Sequence, residues 1–373
     1  MTIDYAPTPS TTTAPRNAPL TTGPFAGSTL VTTHTATPPS VTPVRRGAPT
    51  VRGQAPEASI LDDPQYPAVW AEYIGQEKAK RQLRLAAASA KARGVSMPHT
   101  LLACGLHGIG KTSLAGLVAR EMGTNVKVIS GQPSIHTMRK LMLTMDDHDT
   151  IFIDEIHQLV AGGRVRAEWL LHYLQDGVLL GPSGPMEVPA ITIIAATTDV
   201  GKLPSTIVSR FMVPPLSGYS VAEATLIAQQ MAGGIFETCG LPTPSWDLYA
   251  AVASAGNCNP RAMRQMLCTV RDIALVEGLF VTGDYDIAAA LDLLEITPDG
   301  LTLTMRRYLT TLHDAFDGAA GASTLLNLMQ EPGGLIEVER VLQDKGFITL
   351  TPRGRQLTDK GVRRAQLAAN ASA

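Results

Sequence analysis

Cysteine is scarce in this chain and poorly placed for chemistry. Cys104, Cys239, Cys258 and Cys268 contain no C-x-x-C spacing. That excludes a zinc site or a disulfide framework and reads as free thiols in a reducing compartment. Net charge is nearly absent as well: 31 basic against 33 acidic side chains give a formal −2. No global field draws the chain toward nucleic acid, so any such contact must come from a local patch. Long apolar runs are missing too, none reaching the roughly 20 residues that a membrane span needs. The first residues lack a basic segment followed by an apolar stretch, so a cytoplasmic protein with no membrane association is expected. No internal repeat is found. Residues 1–60 hold few large apolar groups among their Thr, Pro, Ala and Ser, and are expected to form a disordered tail.

What is present describes a folded protein. Hydrophobic residues make up 45% of the 373 and charged residues 17%, enough for two or three domains with a core. Within 61–218, apolar strands at 100–104, 126–129, 150–153, 190–196 and 211–214 alternate with helical stretches. This predicts a parallel sheet covered by helices on both faces. Residues 219–298 read as helical, opening on the capping box Ser220-Val-Ala-Glu223 and punctuated by Pro260 and Pro298. Residues 299–373 read as short helices, then two strands at 347–350 and 355–357 around a Thr-Pro-Arg-Gly turn. Helices followed by a hairpin with a basic tip predict a winged helix.

Residues 105–112, Gly-Leu-His-Gly-Ile-Gly-Lys-Thr, fit the phosphate-cradling pattern G-x-x-x-x-G-K-[ST] between a buried strand and a helix. Backbone amides of the loop and the helix N-terminus suit a polyphosphate. The cradle is assigned to Gly105, Gly108, Gly110, Lys111, Thr112 and Ser113, with a nucleoside triphosphate as the ligand and the Thr112 hydroxyl on Mg²⁺. A second apolar strand ends in Asp154 and Glu155. Carboxylates are costly at the end of a buried strand unless a cation or a proton transfer rewards them. Asp154 is assigned to the Mg²⁺ shell and Glu155 to activation of the attacking water. A third strand ends in hydroxyls, of which Thr198, or Thr197, is placed to sense the γ-phosphate.

The chain resembles AAA+ ATPases, and among them the RuvB family of Holliday-junction branch-migration motors. The resemblance rests on Tyr73-Ile-Gly-Gln-Glu77, the 105–112 loop, the 125–131 and 151–157 segments, Ala195-Ala-Thr-Thr198 and Ser209-Arg-Phe211. It continues through Asn259-Pro-Arg261, Val270-Arg-Asp272 and the particular Gly-Phe-Ile-Thr-Leu-Thr-Pro-Arg-Gly-Arg run of 346–355. It implies an α/β fold with an AAA+ P-loop core, a helical lid and a C-terminal winged helix. It also implies that Arg210 is an arginine finger for a neighbouring subunit and that Arg261 is a second sensor on the lid. Tyr219 and Ile74 are placed at the adenine, and Arg353 and Arg355 at the DNA backbone. The expected activity is ATP-driven branch migration or related DNA translocation on duplex or four-way junctions, by a homo-oligomeric ring, a hexamer. The alternative is a RuvB-derived loader or remodeller of a replication or recombination protein.

Four departures from the family pattern carry expectations of their own. Gln65-Tyr-Pro67 stands where the family has Ile-Arg-Pro, leaving Tyr66 to cover the base. Leu106-His107 replaces two prolines, and His107 is expected to be an exposed loop residue and not a catalyst. The 177–186 segment leaves room only for a short hairpin where the family carries a long apolar one that docks on RuvA, so RuvA docking should be weak or lost. The wing is thinner in basic residues; Arg353, Arg355, Lys360, Arg363 and Arg364 remain, opposed by Asp359. Weak, salt-sensitive, sequence-independent DNA binding follows.

Overall fold

The computed structural model describes residues 66–371, except 132, 162, 182–183, 279, 282–283, 331–334 and 353. The expected tail and Arg353 lie outside the described residues. The core begins with α1 (Glu77–Arg93), then alternates β1 (Thr100–Ala103), α2 (Lys111–Met122), β2 (Val126–Ile129), α3 (Ile135–Met142) and β3 (Thr150–Ile153). Helices α4 (Ile156–Ala161) and α5 (Arg164–Asp176) lead to the hairpin β4 (Val178–Gly181) and β5 (Gly184–Glu187). Strand β6 (Thr192–Thr197) and α6 (Ser205–Val208) complete it.

The sheet order is β1-β6-β3-β2, parallel throughout. Strand alternation sends successive side chains to opposite faces. Ile151 and Ile153 pack under α3 and α5 beside Met138 and Leu170, whereas Phe152 packs on the other side with Leu83 and Leu117 of α1 and α2. All three strand residues are essentially fully buried. The strand expected at 211–214 is reduced to one bridge, Thr100 with Met212. Pro214 and Pro215 follow at once, and without an N–H they cannot extend a ladder.

The helical part comprises α7 (Val221–Glu237), α8 (Trp246–Ala255), α9 (Pro260–Glu277) and α10 (Ile287–Leu293) around its own core. The Ser220–Glu223 capping box forms as expected, with the Ser220 amide donating to Glu223 at 2.8 Å. A two-residue pair, β7 (Phe280–Val281) with β8 (Asp284–Tyr285), interrupts a stretch expected to be wholly helical. The last part is α11 (Leu303–Asp314), β9 (Ala319–Ala320), α12 (Ala322–Met329), α13 (Ile336–Asp344), β10 (Ile348–Thr351), β11 (Gly354–Leu357) and α14 (Asp359–Ala371). It is a winged helix with a three-stranded sheet in the order β10-β11-β9.

One core histidine gives the fold a pH dependence. His99 Nδ1 accepts from the Ile193 amide of β6 at 3.0 Å. Burial pushes the imidazole from the ordinary 6.5 down to about 4. The unfolded chain therefore takes up a proton first, so the stabilisation is complete above pH 6.5 and is lost as pH falls toward 4. The expected loss is about 2 kcal/mol by pH 5. Denaturant midpoints at pH 7 and pH 5 check it: His99→Asn should lose markedly less stability between them than the unsubstituted chain.

Candidate functional site

The loop between β1 and α2 turns through two left-handed glycines, Gly108 at φ +71 and Gly110 at φ +87. Space as well as torsion demands them. A Cβ at Gly110 would stand 2.8 Å from the Tyr73 hydroxyl, and one at Gly108 would stand 2.9 Å from the Arg261 Cβ. Gly110 is the N-cap of α2, so the loop delivers its amides and the helix N-terminus to one place. Lys111 curls back over the loop, its ammonium donating to Leu106 O at 3.0 Å and Cys104 O at 3.5 Å. Burial lowers its pKa, opposed by the nearby carboxylates of Glu155 and Asp154. A buried ammonium whose hydrogen-bond partners among the described residues are carbonyls suits an incoming anion. Thr112 and Ser113 follow on the first turn of α2, both partly buried.

Asp154 and Glu155 emerge from the end of β3, and Glu155 holds a left-handed φ of +50. Such strain in a non-glycine residue persists only where its surroundings over-determine it. Here they do. The Thr198 amide donates to Glu155 at 3.1 Å and its hydroxyl at 3.1 and 3.2 Å. His157 Nδ1 stands 3.1 Å from the same carboxylate. Thr197 points elsewhere, fully buried against His157 at 3.0 Å. Of the two hydroxyls considered, it is Thr198 that touches the acid. His107 is half exposed, as expected, but its Nδ1 lies 3.7 Å from Glu155.

The lid closes over this loop through α9. Asn259 caps the helix with its side-chain oxygen and donates its amide nitrogen to His107 O at 3.0 Å. Arg261, exposed, begins that helix directly above Gly108. Beside the loop, a cleft is lined by Tyr66, Tyr73, Ile74, Tyr219, Met231 and Arg264. Tyr73 and Tyr219 both donate to Ile109 O, at 3.0 and 2.9 Å, and burial raises both phenols. Ile74 and Tyr219, expected at the base, thus line one cleft together with Tyr66. Tyr73 and Met231 carry no sequence signal of this role. The donor set fits a magnesium nucleotide: a hydroxyl and a carboxylate at Thr112 and Asp154, an ammonium at Lys111, and a glycine turn at Gly108 and Gly110 that leaves no room for a Cβ. Magnesium keeps several waters and takes few protein ligands. The lack of a three-ligand His/Cys/Asp/Glu cluster among the described residues is no objection.

Arg210 is exposed just past α6, its guanidinium donating to Gln175 at 3.0 Å. It is held on the surface of the core. In the winged helix, two of the basic residues are paired internally. Arg355 turns inward, forking onto buried Glu339 at 2.7 and 2.7 Å, and Tyr308 donates to the same carboxylate at 3.0 Å. Arg364 likewise forks onto Asp299 at 3.1 and 3.0 Å. Neither guanidinium is displayed as a free phosphate contact. Lys360, against the Phe347 ring, and Arg363 are the exposed cations of that patch among the described residues. The expected short hairpin is present as β4 and β5, with Leu179 fully buried against the protein's own core. Its Pro-Ser tip, 182–183, lies outside the described residues.

Residues 65–215 match the family model of the Holliday junction DNA helicase RuvB P-loop domain, and residues 298–365 match the RuvB C-terminal winged helix domain. The solved Thermotoga maritima RuvB Holliday junction branch migration motor is 29% identical over 80% of this chain and 97% of that one, with a TM-score of 0.71. A mutant of the same Thermotoga maritima protein is 28% identical over 81% of this chain and 98% of that one, with a TM-score of 0.72. With the phosphate loop, the paired acids and the wing all falling within those matches, the chain belongs to the RuvB-like AAA+ ATPase family.

Proposed function

We propose that the chain is an ATP-driven DNA motor that works as a ring on duplex or four-way junction DNA. The observation that carries this is the asymmetry of the site. Glu155 is held at the phosphate loop by Thr198 and His157, while Arg210 stands exposed on the surface of the core. One protomer supplies the grip and the base, and a cation must come from the next.

Lys111 and the loop amides hold the β- and γ-phosphates. Thr112 and Asp154 would hold Mg²⁺, which would neutralise phosphate charge when bound. Glu155 takes a proton from the attacking water, and Thr198 keeps that carboxylate in place. Arg210 of the neighbouring protomer stabilises the charge that develops on the transferred group. Arg261 reports loss of the γ-phosphate to the lid through α9.

The decisive measurement is ATPase rate with and without duplex and junction DNA, together with mass in Mg·ATP. A hexameric mass and DNA-stimulated turnover are expected. A monomer without turnover on any DNA would refute the motor. The loader alternative has its own support: β4–β5 is short and two of the wing's arginines are committed internally. Branch migration of a synthetic four-way junction separates the readings. For the same reason native mass spectrometry with RuvA should show no stable complex. A stable one through β4–β5 would overturn that part.

A further inference from the structure

Helix α13 is the third helix of the winged-helix fold, and its charge does not suit DNA. Glu337, Glu339 and Asp344 face a single cation, Arg340. That cation is exposed and makes no hydrogen bond or ion pair with any described residue. An unpaired guanidinium in a mostly acidic helix could simply be solvated. Instead it lies against the phosphate loop. A Cβ at Gly105 would overlap Arg340 Nη1 and stand 3.2 Å from its Cζ and 3.5 Å from its Nη2.

A further contact fixes the winged helix beside the lid. The Asn257 side chain donates to Gly300 O at 2.8 Å, pinning the start of the winged helix to the lid two residues before the Asn259 cap. Helix α13 therefore borders the phosphate loop, and the winged helix that carries it is pinned to the lid turn just before Arg261.

Lys111 donates to the carbonyls of Cys104 and Leu106, the residues on either side of Gly105. The loop thus has an ammonium on its flanking carbonyls and a partnerless guanidinium against its first glycine. Two like charges at one loop are unfavourable unless an anion joins them. A guanidinium is suited to that task, since it offers a planar fork of donors to phosphate oxygens.

We propose that Arg340 is a nucleotide-phosphate ligand that the winged helix supplies to the phosphate loop of its own chain. This rests on the ATP-binding reading of the 105–112 loop and adds to it a ligand from a different domain. Because binding linkage is reciprocal, the residue also ties the position of the winged helix to the nucleotide.

The experiment is titration of a fluorescent ATP analogue into the full chain and into Arg340→Gln, Arg340→Lys and Lys111→Ala, with adenosine as a phosphate-free competitor. Arg340→Gln is expected to weaken ATP about tenfold, as loss of a charged hydrogen bond does. Arg340→Lys should recover part of that loss, and the adenosine affinity should stay unchanged in both. A thermal melt checks that the exposed substitution leaves the fold intact. Wild-type ATP affinity in Arg340→Gln, alongside lost affinity in Lys111→Ala, overturns the proposal and leaves the ATP site standing. Tighter ATP binding in Arg340→Gln overturns it too, by showing that the arginine obstructs the site. Unchanged ATP binding in Lys111→Ala would instead sink the reading of the loop itself.

Discussion

Glu155→Gln should bind ATP as the unsubstituted chain does and hydrolyse it about 100- to 10,000-fold more slowly, the usual contribution of a general base. The amide keeps the size and shape of the carboxylate, so its oxygen can still accept from the Thr198 amide, now at 3.1 Å. The strained backbone at φ +50 is therefore still supported. What is lost is the capacity to take a proton. His157 cannot take over, since its Nδ1 is already engaged between Glu155 and Thr197. Single-turnover hydrolysis beside equilibrium nucleotide binding gives both numbers. Unchanged hydrolysis in this variant would remove Glu155 from the mechanism.

Arg210→Ala is expected to lower turnover by about a thousandfold or more while sparing nucleotide affinity, the signature of a cation needed in the transition state. Its present partner, Gln175, is an exposed neutral side chain, so truncation costs the fold little. The telling version mixes two dead proteins. Arg210→Ala and Glu155→Gln subunits, combined before ATP is added, should regain part of the lost activity. In mixed rings some sites pair an intact base with an intact arginine from next door. No recovery in rings shown by mass to be mixed would mean that Arg210 serves no neighbour.

Much of this was legible in the sequence because it is local. The phosphate loop, the strand ending in Asp154 and Glu155, the Ser220 capping box and the strands of the sheet are each written in a dozen adjacent residues or fewer. What was not legible is of two kinds. At 211–214 an apolar run looked like a strand, but the prolines after it allow one bridge only. Elsewhere the partner was far away along the chain. Nothing near Arg355 announces that Glu339 waits behind it with Tyr308, so a basic wing tip was the natural reading. The approach of His107 to Glu155 forms only once the sheet has folded. Arg340 gave no sign at all, as its meeting with Gly105 depends on how the winged helix and the core are packed.

The Glu339–Arg355 fork has a mechanical meaning. It rivets strand β11 of the wing to helix α13 through two short charged bonds, one end of which is sealed from water. A riveted wing cannot hinge on its own helix. A load applied at the hairpin is then delivered to α13 as the rotation of a stiff arm, with little dissipated in bending between them.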